Sequence, residues 1–178
     1  MKRSLPVWKS LLRKLALRVV EWGEAEREAK LVDGIKQGSH CHVRKPLYIK
    51  NPQNIVLGDE VMINASVTIL AYASVTIGSF TMVAPNVSII TSGHDIIKSG
   101  RAFKKSKNAE PITVGANCWL GAGVILLPGV EIGEGTVVGA GSVVTKSLPS
   151  WSIAVGTPAR VIRAREQGPP DPVADQEL

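Results

Sequence analysis

Long hydrophobic runs are missing from this sequence of 178 residues. The apolar stretch near the N-terminus is interrupted by basic side chains at Lys9, Arg13, Lys14 and Arg18. These charges exclude both a signal peptide and a transmembrane helix, because each needs an uninterrupted apolar segment. We therefore expect a cytoplasmic protein.

Cysteines and aromatic residues are also few. The 2 cysteines, Cys41 and Cys118, form neither the even framework of a secreted domain nor a CxxC metal motif, so we predict two buried free thiols. Aromatic residues make up 4% of the chain, against 17 glycines and 44% hydrophobic residues. This composition is unusual for a helical bundle and is typical of one domain built from many short, stacked strands.

Charge is distributed unevenly along the chain. Residues 1–20 contain six basic side chains and no acidic one, whereas residues 166–178 contain acidic side chains and no basic one. Five more basic residues lie between Lys98 and Lys107, and the net charge is +6. Basic charge of this amount suits nucleic acid, an anionic lipid surface or a phosphorylated cofactor. The repeat described below decides among these classes and does not favour nucleic acid.

The two ends of the chain differ from its middle. Residues 1–30 are predicted to form a basic amphipathic helical segment. Its apolar face comprises Leu5, Trp8, Leu11, Leu12, Leu15 and Val19. The segment either caps open strand edges at the base of the fold or lies on an anionic membrane, at the inner membrane face. Residues 166–178 are acidic and rich in proline, which predicts a disordered tail.

Aliphatic residues recur every six positions over most of the remaining chain. Six successive hexads begin at Val114, Leu120, Leu126, Ile132, Val138 and Val144. Earlier hexads begin at Ile49, Ile55, Val61, Val67, Ile77, Val83 and Ile89, and the phase slips between Ala71 and Val75. A period of six fits neither a helix nor a simple alternating strand, so a turn must recur every six residues.

A coil with three flat sides satisfies this pattern. Each side holds a short strand, each corner holds a turn that glycine permits, and the aliphatic residues of one coil stack on those of the next. Three hexads make one coil of a triangular prism, with about 4.8 Å between coils. The sequence therefore predicts an all-β solenoid, and the pattern leaves its handedness open.

The run "LPGVEIGEGTVVGAGSVVTKSLP", followed by "AVGTPARVIR", resembles the hexapeptide-repeat acyltransferases, in the branch of galactoside, maltose and surface-polysaccharide O-acetyltransferases. The resemblance covers roughly residues 49–165. It implies a left-handed parallel β-helix, although parallel crossovers are usually right-handed. It further implies an acyltransferase domain over residues 31–165, an extruded loop at residues 95–111, and a homotrimer with active-site clefts between subunits.

His94 lies where the repeat stops, in the stretch "ITSGHDIIKSG". A loop as long as the one that follows it is usually functional or disordered. Acetyl transfer from a thioester to a sugar hydroxyl needs a base, and imidazole titrates close to neutral pH. In similar O-acetyltransferases the "GH" at the start of such a loop supplies this base. The resemblance therefore implies that His94 is the general base of an acetyl-CoA-dependent O-acetyltransferase acting on a sugar or polysaccharide precursor.

Two further residues are implied to lie near the base. Asn64 matches an asparagine that similar enzymes place beside the base and the acceptor; the alternative is a corner residue with a structural role. Trp119 is too large for a core built from valine and isoleucine, so we expect it to face outward and line the cleft. Met62 departs from the galactoside-type pattern, which has an aromatic residue there, so the sugar is left open.

Coenzyme A needs a narrow groove along the coils and cations at one end. Small residues at successive corners let a ligand approach the backbone. By resemblance, the coenzyme-contacting positions are Ala122, Ala140, Thr145, Lys146 and Arg163. We expect the backbone N–H of Ala122 to stabilise the oxyanion of the tetrahedral intermediate, and neither a covalent nucleophile nor a metal is required.

Three other functions remain open from the sequence. An amino-sugar N-acetyltransferase uses the same fold. A zinc carbonic anhydrase of the β-helix type needs three histidines. His40 and His42 precede the regular repeats and no partner lies near His94 in sequence, so the ligand set is missing and this function is disfavoured. A non-catalytic scaffold would leave His94 and its loop without a role.

Overall fold

The computed structural model describes residues 33–166. The predicted helical segment at residues 1–30 and the predicted tail, apart from Glu166, lie outside the described residues. Within residues 33–166 the chain visits three sheets in turn, so that each coil adds one short strand to each side of a prism. The fold is a left-handed parallel β-helix, which confirms the predicted class.

The three sheets form the sides of the prism. The first sheet contains β1 (Lys36–Gln37), β4 (Ile55–Leu57), β7 (Val75–Ile77), β12 (Ile112–Val114) and β15 (Glu131–Ile132). The second sheet contains β2 (His42–Val43), β5 (Met62–Ile63), β8 (Met82–Val83), β13 (Trp119–Leu120), β16 (Val137–Val138), β18 (Ser152–Val155) and β19 (Arg160–Ala164). The third sheet contains β3 (Leu47–Lys50), β6 (Val67–Leu70), β9 (Ser88–Ile90), β14 (Ile125–Leu126) and β17 (Val143–Val144). A short 3-10 helix spans Pro52–Asn54 before β4.

The predicted hexad positions form the core. Every one of them is between 0% and 5% exposed. Their stacking differs from the prediction in the second coil, where Leu57 lies opposite Ile77 and Ile55 lies opposite Val75. Two inward rows therefore run along each sheet. The hexads beginning at Ile55, Val61 and Val67 start on the other row, whereas Ile49 shares the row of Ile89. The phase of the repeat thus changes at two corners, at Pro52–Asn54 before β4 and around Ala71 before β7.

Glycine at the second position of a hexad is required by close packing between coils. A Cβ atom on Gly121 would lie 2.6 Å from the backbone nitrogen of Ala140 in the next coil. The N–H of Gly121 donates to Val138 O at 2.8 Å, so the backbones of the two coils are held too close together for a Cβ atom. The left-handed turn occurs two residues later in the hexad, for example at Gly141 with φ of 69°.

The last strand closes one end of the prism. Strand β19 pairs antiparallel with β18, unlike the parallel strands of the coils. Arg165 follows it, and its Nη1 donates to Asn117 O and to Gly135 O, both at 2.8 Å. The guanidinium also lies 5.7 Å from the ring of Trp151. Arg165 therefore ties the end of the chain to two successive coils.

Candidate active site

The loop after the third coil has its own secondary structure. Strand β10 (Ser92–His94) pairs antiparallel with β11 (Lys107–Ala109), and helix α1 (Gly100–Lys105) connects them. His94 lies opposite Lys107 in this hairpin. The predicted loop at residues 95–111 is thus a hairpin extension that leaves the prism between β9 and β12.

His94 is exposed at the end of β10, and its ring is held by Phe103. The Nδ1 atom lies 3.2 Å from Phe103 O, and the two rings are 5.3 Å apart with an interplanar angle of 41°. A carbonyl oxygen only accepts hydrogen bonds, so Nδ1 of the neutral ring is the donor in this pair. Nε2 then carries the lone pair. This is the tautomer that a general base needs.

Asn64 follows β5, one coil before the loop. Its Nδ2 donates to Val83 O at 3.1 Å, and its backbone N–H donates to the same oxygen at 2.9 Å. Its Oδ1 accepts no hydrogen bond from residues 33–166, and no hydrogen bond joins it to His94. The amide nitrogen is thus structural, whereas the amide oxygen is available to a ligand.

Trp119 faces outward, as predicted, and is 48% exposed. It lies between Met82 and Val137 on the outer side of the second sheet. These residues belong to a row, here called the outer row, that runs across the coils. The outer row consists of Met62, Met82, Trp119, Val137 and Ile153. Arg163 lies opposite Ile153 at the end of this row.

Ala122 and Ala140 are exposed at the corner between the second and third sheets. Gly141 N–H donates to Ala122 O at 2.8 Å, so the two corners are stacked in successive coils. Within residues 33–166, the backbone N–H groups of Ala122 and Ala140 have no hydrogen-bond acceptor. A Cβ atom on Gly141 would meet nothing within 4 Å. The corner is therefore open and presents backbone donors to a ligand.

The predicted phosphate-binding side chains are exposed near the last coils. Thr145 and Lys146 follow β17, and Arg163 is in β19. The side chains of Lys146 and Arg163 form no ion pair or hydrogen bond with any residue from 33 to 166. Arg160, in contrast, donates to Ala159 O at 2.8 Å. The unpaired side chains of Lys146 and Arg163 thus differ from that of Arg165, which bonds to two coils.

The basic residues of the loop are only partly available to a ligand. Lys98 forms a 3.5 Å ion pair with Asp95. The ammonium of Lys107 lies 2.9 Å from the ring centroid of Tyr72. The other basic side chains of the loop are exposed on α1, namely Arg101, Lys104 and Lys105. Sequence reasoning missed Tyr72 and Phe103, because contacts in a non-repeating loop leave no periodic signal.

The two thiols differ, and the prediction for one of them was wrong. Cys118 is buried at 1% exposure, and burial raises the pKa of its thiol. Its Sγ donates to Gly133 O at 3.2 Å. Cys41 is only half-buried, because it lies in the first coil, which has a neighbouring coil on one side within the described residues. Its Sγ donates to Gly58 O of the second coil at 3.1 Å. A raised pKa makes Cys118 a poor nucleophile, since the thiolate is the reactive form.

No group of three or more His, Cys, Asp or Glu side chains is arranged to hold a metal ion within residues 33–166. None of the helices described there has the length and apolar character of a membrane-spanning helix.

Known proteins resemble both the sequence and the fold. The family model described as bacterial transferase hexapeptide (six repeats) matches residues 111–146. Galactoside O-acetyltransferase of Escherichia coli K12 is 41% identical over 130 residues, which are 71% of this chain and 62% of that protein. The chain thus spans less than two thirds of that relative. The putative colanic acid biosynthesis acetyltransferase WcaF of the same organism is 38% identical over 132 residues, or 74% and 70% of the two chains.

A solved structure extends the similarity. The hexapeptide-repeat acetyltransferase VCA0836 of Vibrio cholerae, in complex with acetyl coenzyme A, superposes with a TM-score of 0.74 at 31% identity. The match covers 81% of this chain and 79% of that one.

Proposed function

Because the chain belongs to the hexapeptide-repeat acyltransferases, in the branch of galactoside and surface-polysaccharide O-acetyltransferases, we propose that it transfers acetyl from acetyl-CoA to a hydroxyl group of a sugar or polysaccharide precursor. The observation that carries this proposal is the state of His94. Its Nδ1 is engaged by Phe103 O at 3.2 Å, which leaves the lone pair on Nε2.

His94 acts as the general base. Nε2 accepts the proton of the acceptor hydroxyl while the hydroxyl oxygen attacks the thioester carbonyl. Ala122 N–H donates to the oxyanion of the tetrahedral intermediate, a contribution of about 3 kcal/mol in comparable sites. The intermediate collapses to the acetyl ester, and the proton on His94 passes to the departing sulfur. No covalent intermediate with the protein is needed.

The open corner binds the pantetheine arm. Ala122, Ala140 and Gly141 allow a narrow ligand to reach the backbone, and the unpaired N–H of Ala140 donates to an amide oxygen of the arm. Trp119 lines the cleft with its exposed ring.

The cations bind the phosphates of the coenzyme. Lys146 and Arg163 are exposed and unpaired within residues 33–166, so neither has to break a contact to bind an anion. Thr145 adds a hydroxyl donor beside Lys146. Asn64 orients the acceptor through Oδ1, because its Nδ2 is occupied by Val83 O.

The active protein is a homotrimer with shared clefts. The outer row supports this assembly, since two of its apolar members, Met82 and Trp119, are 46% and 48% exposed on the face of the second sheet. Light scattering should give three times the chain mass of 19.0 kDa. A catalytically active monomer would contradict a shared cleft.

The enzyme works in the cytoplasm, with residues 1–30 either capping the coil or contacting the inner membrane face. The basic, amphipathic sequence of this segment supports both alternatives. Sedimentation with anionic vesicles distinguishes them. Cosedimentation that depends on residues 1–30 indicates membrane contact, and its absence indicates capping or subunit packing.

A screen for thioester release tests the proposed reaction. Acetyl-CoA is offered with sugars, nucleotide sugars and oligosaccharides, each paired with the corresponding amino sugar. Release with hydroxyl acceptors alone supports O-acetylation, whereas release only with amino sugars indicates an N-acetyltransferase. Calorimetry with coenzyme A provides the control, because absence of binding at millimolar ligand would indicate a scaffold.

A further inference from the structure

The carbonyl that engages His94 is itself held by a residue without any role in the mechanism above. Phe103 O accepts hydrogen bonds from Ser106 Oγ at 2.7 Å and from Ser106 N–H at 3.0 Å, in addition to the His94 contact. Ser106 Oγ also accepts the backbone N–H of Asp95 at 3.0 Å. One hydroxyl thus joins the end of α1 to the residue that follows His94.

Little else holds this part of the loop. Helix α1 has six residues, none of them buried, and its N-cap Ser99 makes no side-chain capping bond. A helix of this length has little stability of its own in water. The ion pair between Asp95 and Lys98 is exposed, and such pairs contribute little. The position of the Phe103 carbonyl therefore depends on the hairpin pairing and on Ser106.

We propose that Ser106 is a positioning residue whose hydroxyl holds the Phe103 carbonyl against Nδ1 of His94, and thereby keeps Nε2 unprotonated. The catalytic consequence rests on the proposed function, whereas the effect on the tautomer does not. Without the hydroxyl, Asp95 N–H loses its acceptor and the carbonyl is held only by its remaining donors. The His94 ring then populates both tautomers, and the one protonated on Nε2 cannot accept a proton.

Histidine-selective ¹⁵N NMR of the full chain measures the tautomer directly. The His94 signals are assigned by their loss in His94→Asn. We expect the parent to show a protonated Nδ1 and an unprotonated Nε2 above the titration range of imidazole, and Ser106→Ala to show averaged shifts for the two nitrogens. Ser106→Thr keeps a hydroxyl and should retain the parental pattern. Ser99→Ala is the matched control, because it removes a serine hydroxyl at the other end of α1.

Kinetics supply the second readout. Ser106→Ala should lower kcat about tenfold, the factor that corresponds to one ordinary net hydrogen bond. The KM for acetyl-CoA should stay unchanged, and Ser106→Thr should restore kcat. The variant should fold, because Ser106 caps a helix that buries no residue and is itself outside the core.

An unchanged His94 spectrum in Ser106→Ala would overturn the proposal, whatever the activity. Equal losses in Ser99→Ala and Ser106→Ala would also overturn it, since they would indicate general loosening of the helix. A chain that transfers no acetyl group would contradict the proposed function alone, because the spectrum would still decide the role of Ser106.

Discussion

The coils and the loop of this protein are built in opposite ways. In the coils, aliphatic side chains such as Leu126 are 0% exposed, and each turn is bonded to the next along the prism. In the loop, Ile96 and Ile97 are 88% and 92% exposed, and α1 buries no residue. Burial contributes about 1.5–3 kcal/mol for a large aliphatic side chain, so stability lies in the coils.

This difference explains where the proposed chemistry occurs. The coils supply fixed outward groups that would contact coenzyme and acceptor, such as Trp119 and Asn64. The loop supplies the carbonyl that orients the base, although loops on a rigid scaffold are less stable. His94 lies at the junction between the coils and the loop. Its strand, β10, directly follows the third coil, and its Nδ1 is bonded to Phe103 O in the loop. The backbone of His94 is therefore placed by the coils, and its ring is oriented by the loop.

Substitution of His94 should have the largest effect and should leave the coils unaffected. His94→Asn should lower turnover by about two to four orders of magnitude, the usual contribution of a general base. The temperature of unfolding and the affinity for coenzyme A should stay close to the parental values. His40→Asn is the control, because His40 is exposed in a turn with φ of 54°, which asparagine tolerates. Turnover near the parental rate would remove His94 from the mechanism.

Paired truncations test the difference in stability. Leu126→Ala should lower the free energy of unfolding by about 2–5 kcal/mol, because it leaves a cavity in the coil. Ile97→Ala removes a side chain of similar size that is 92% exposed, and should change the free energy of unfolding by less than about 0.5 kcal/mol. Urea titration measures both. Equal losses would show that the loop packs against something in solution, such as another subunit.

Substitution of the exposed cations of α1 should have a smaller effect, and only on ligand binding. Lys104 and Lys105 are either solvated or attract an anionic ligand over His94. In the second case, replacing both with glutamine should raise the apparent KM for coenzyme or acceptor at low salt. The effect should weaken with salt, since exposed charges are screened over about 10 Å at 0.1 M. Replacing Lys36 and Lys50 of the first coil is the control. If the double variant has the parental KM values at low salt, the loop has a steric role at most.

The smallest expected effect is on the pH dependence of stability in the first two coils. Ser39 N–H donates to Asp59 Oδ1 at 2.8 Å, and this bond lowers the pKa of the Asp59 carboxyl. The stabilisation is therefore complete above the ordinary pKa, about 3.9, and is lost as pH falls through the lowered value. Asp59→Asn should flatten the fall of Tm in this range, as followed by circular dichroism. Parallel Tm curves for variant and parent would show that the bond contributes nothing.

Much of the coil could be predicted from the sequence, and less of the loop. The hexad positions are all buried, because a period of six allows only a stacked turn to place them together. The second coil was out of phase, since inward residues alternate within each strand and Ile55 and Leu57 both qualify. His94 stood out because it ends the pattern. Phe103 and Ser106 gave no such signal, because their contacts depend on how the loop folds back.

The repeat, the aliphatic core and the place where the repeat stops can be read from the amino-acid order alone, because each follows from local spacing. Which nitrogen of His94 is free depends on the three-dimensional arrangement, since it is set by a carbonyl nine residues away. The three-dimensional arrangement also distinguishes Arg163 from Arg165, which have the same chemistry and are two residues apart. Arg165 reaches acceptors in two other coils, whereas Arg163 faces outward, and only the three-dimensional position of a strand end separates these environments.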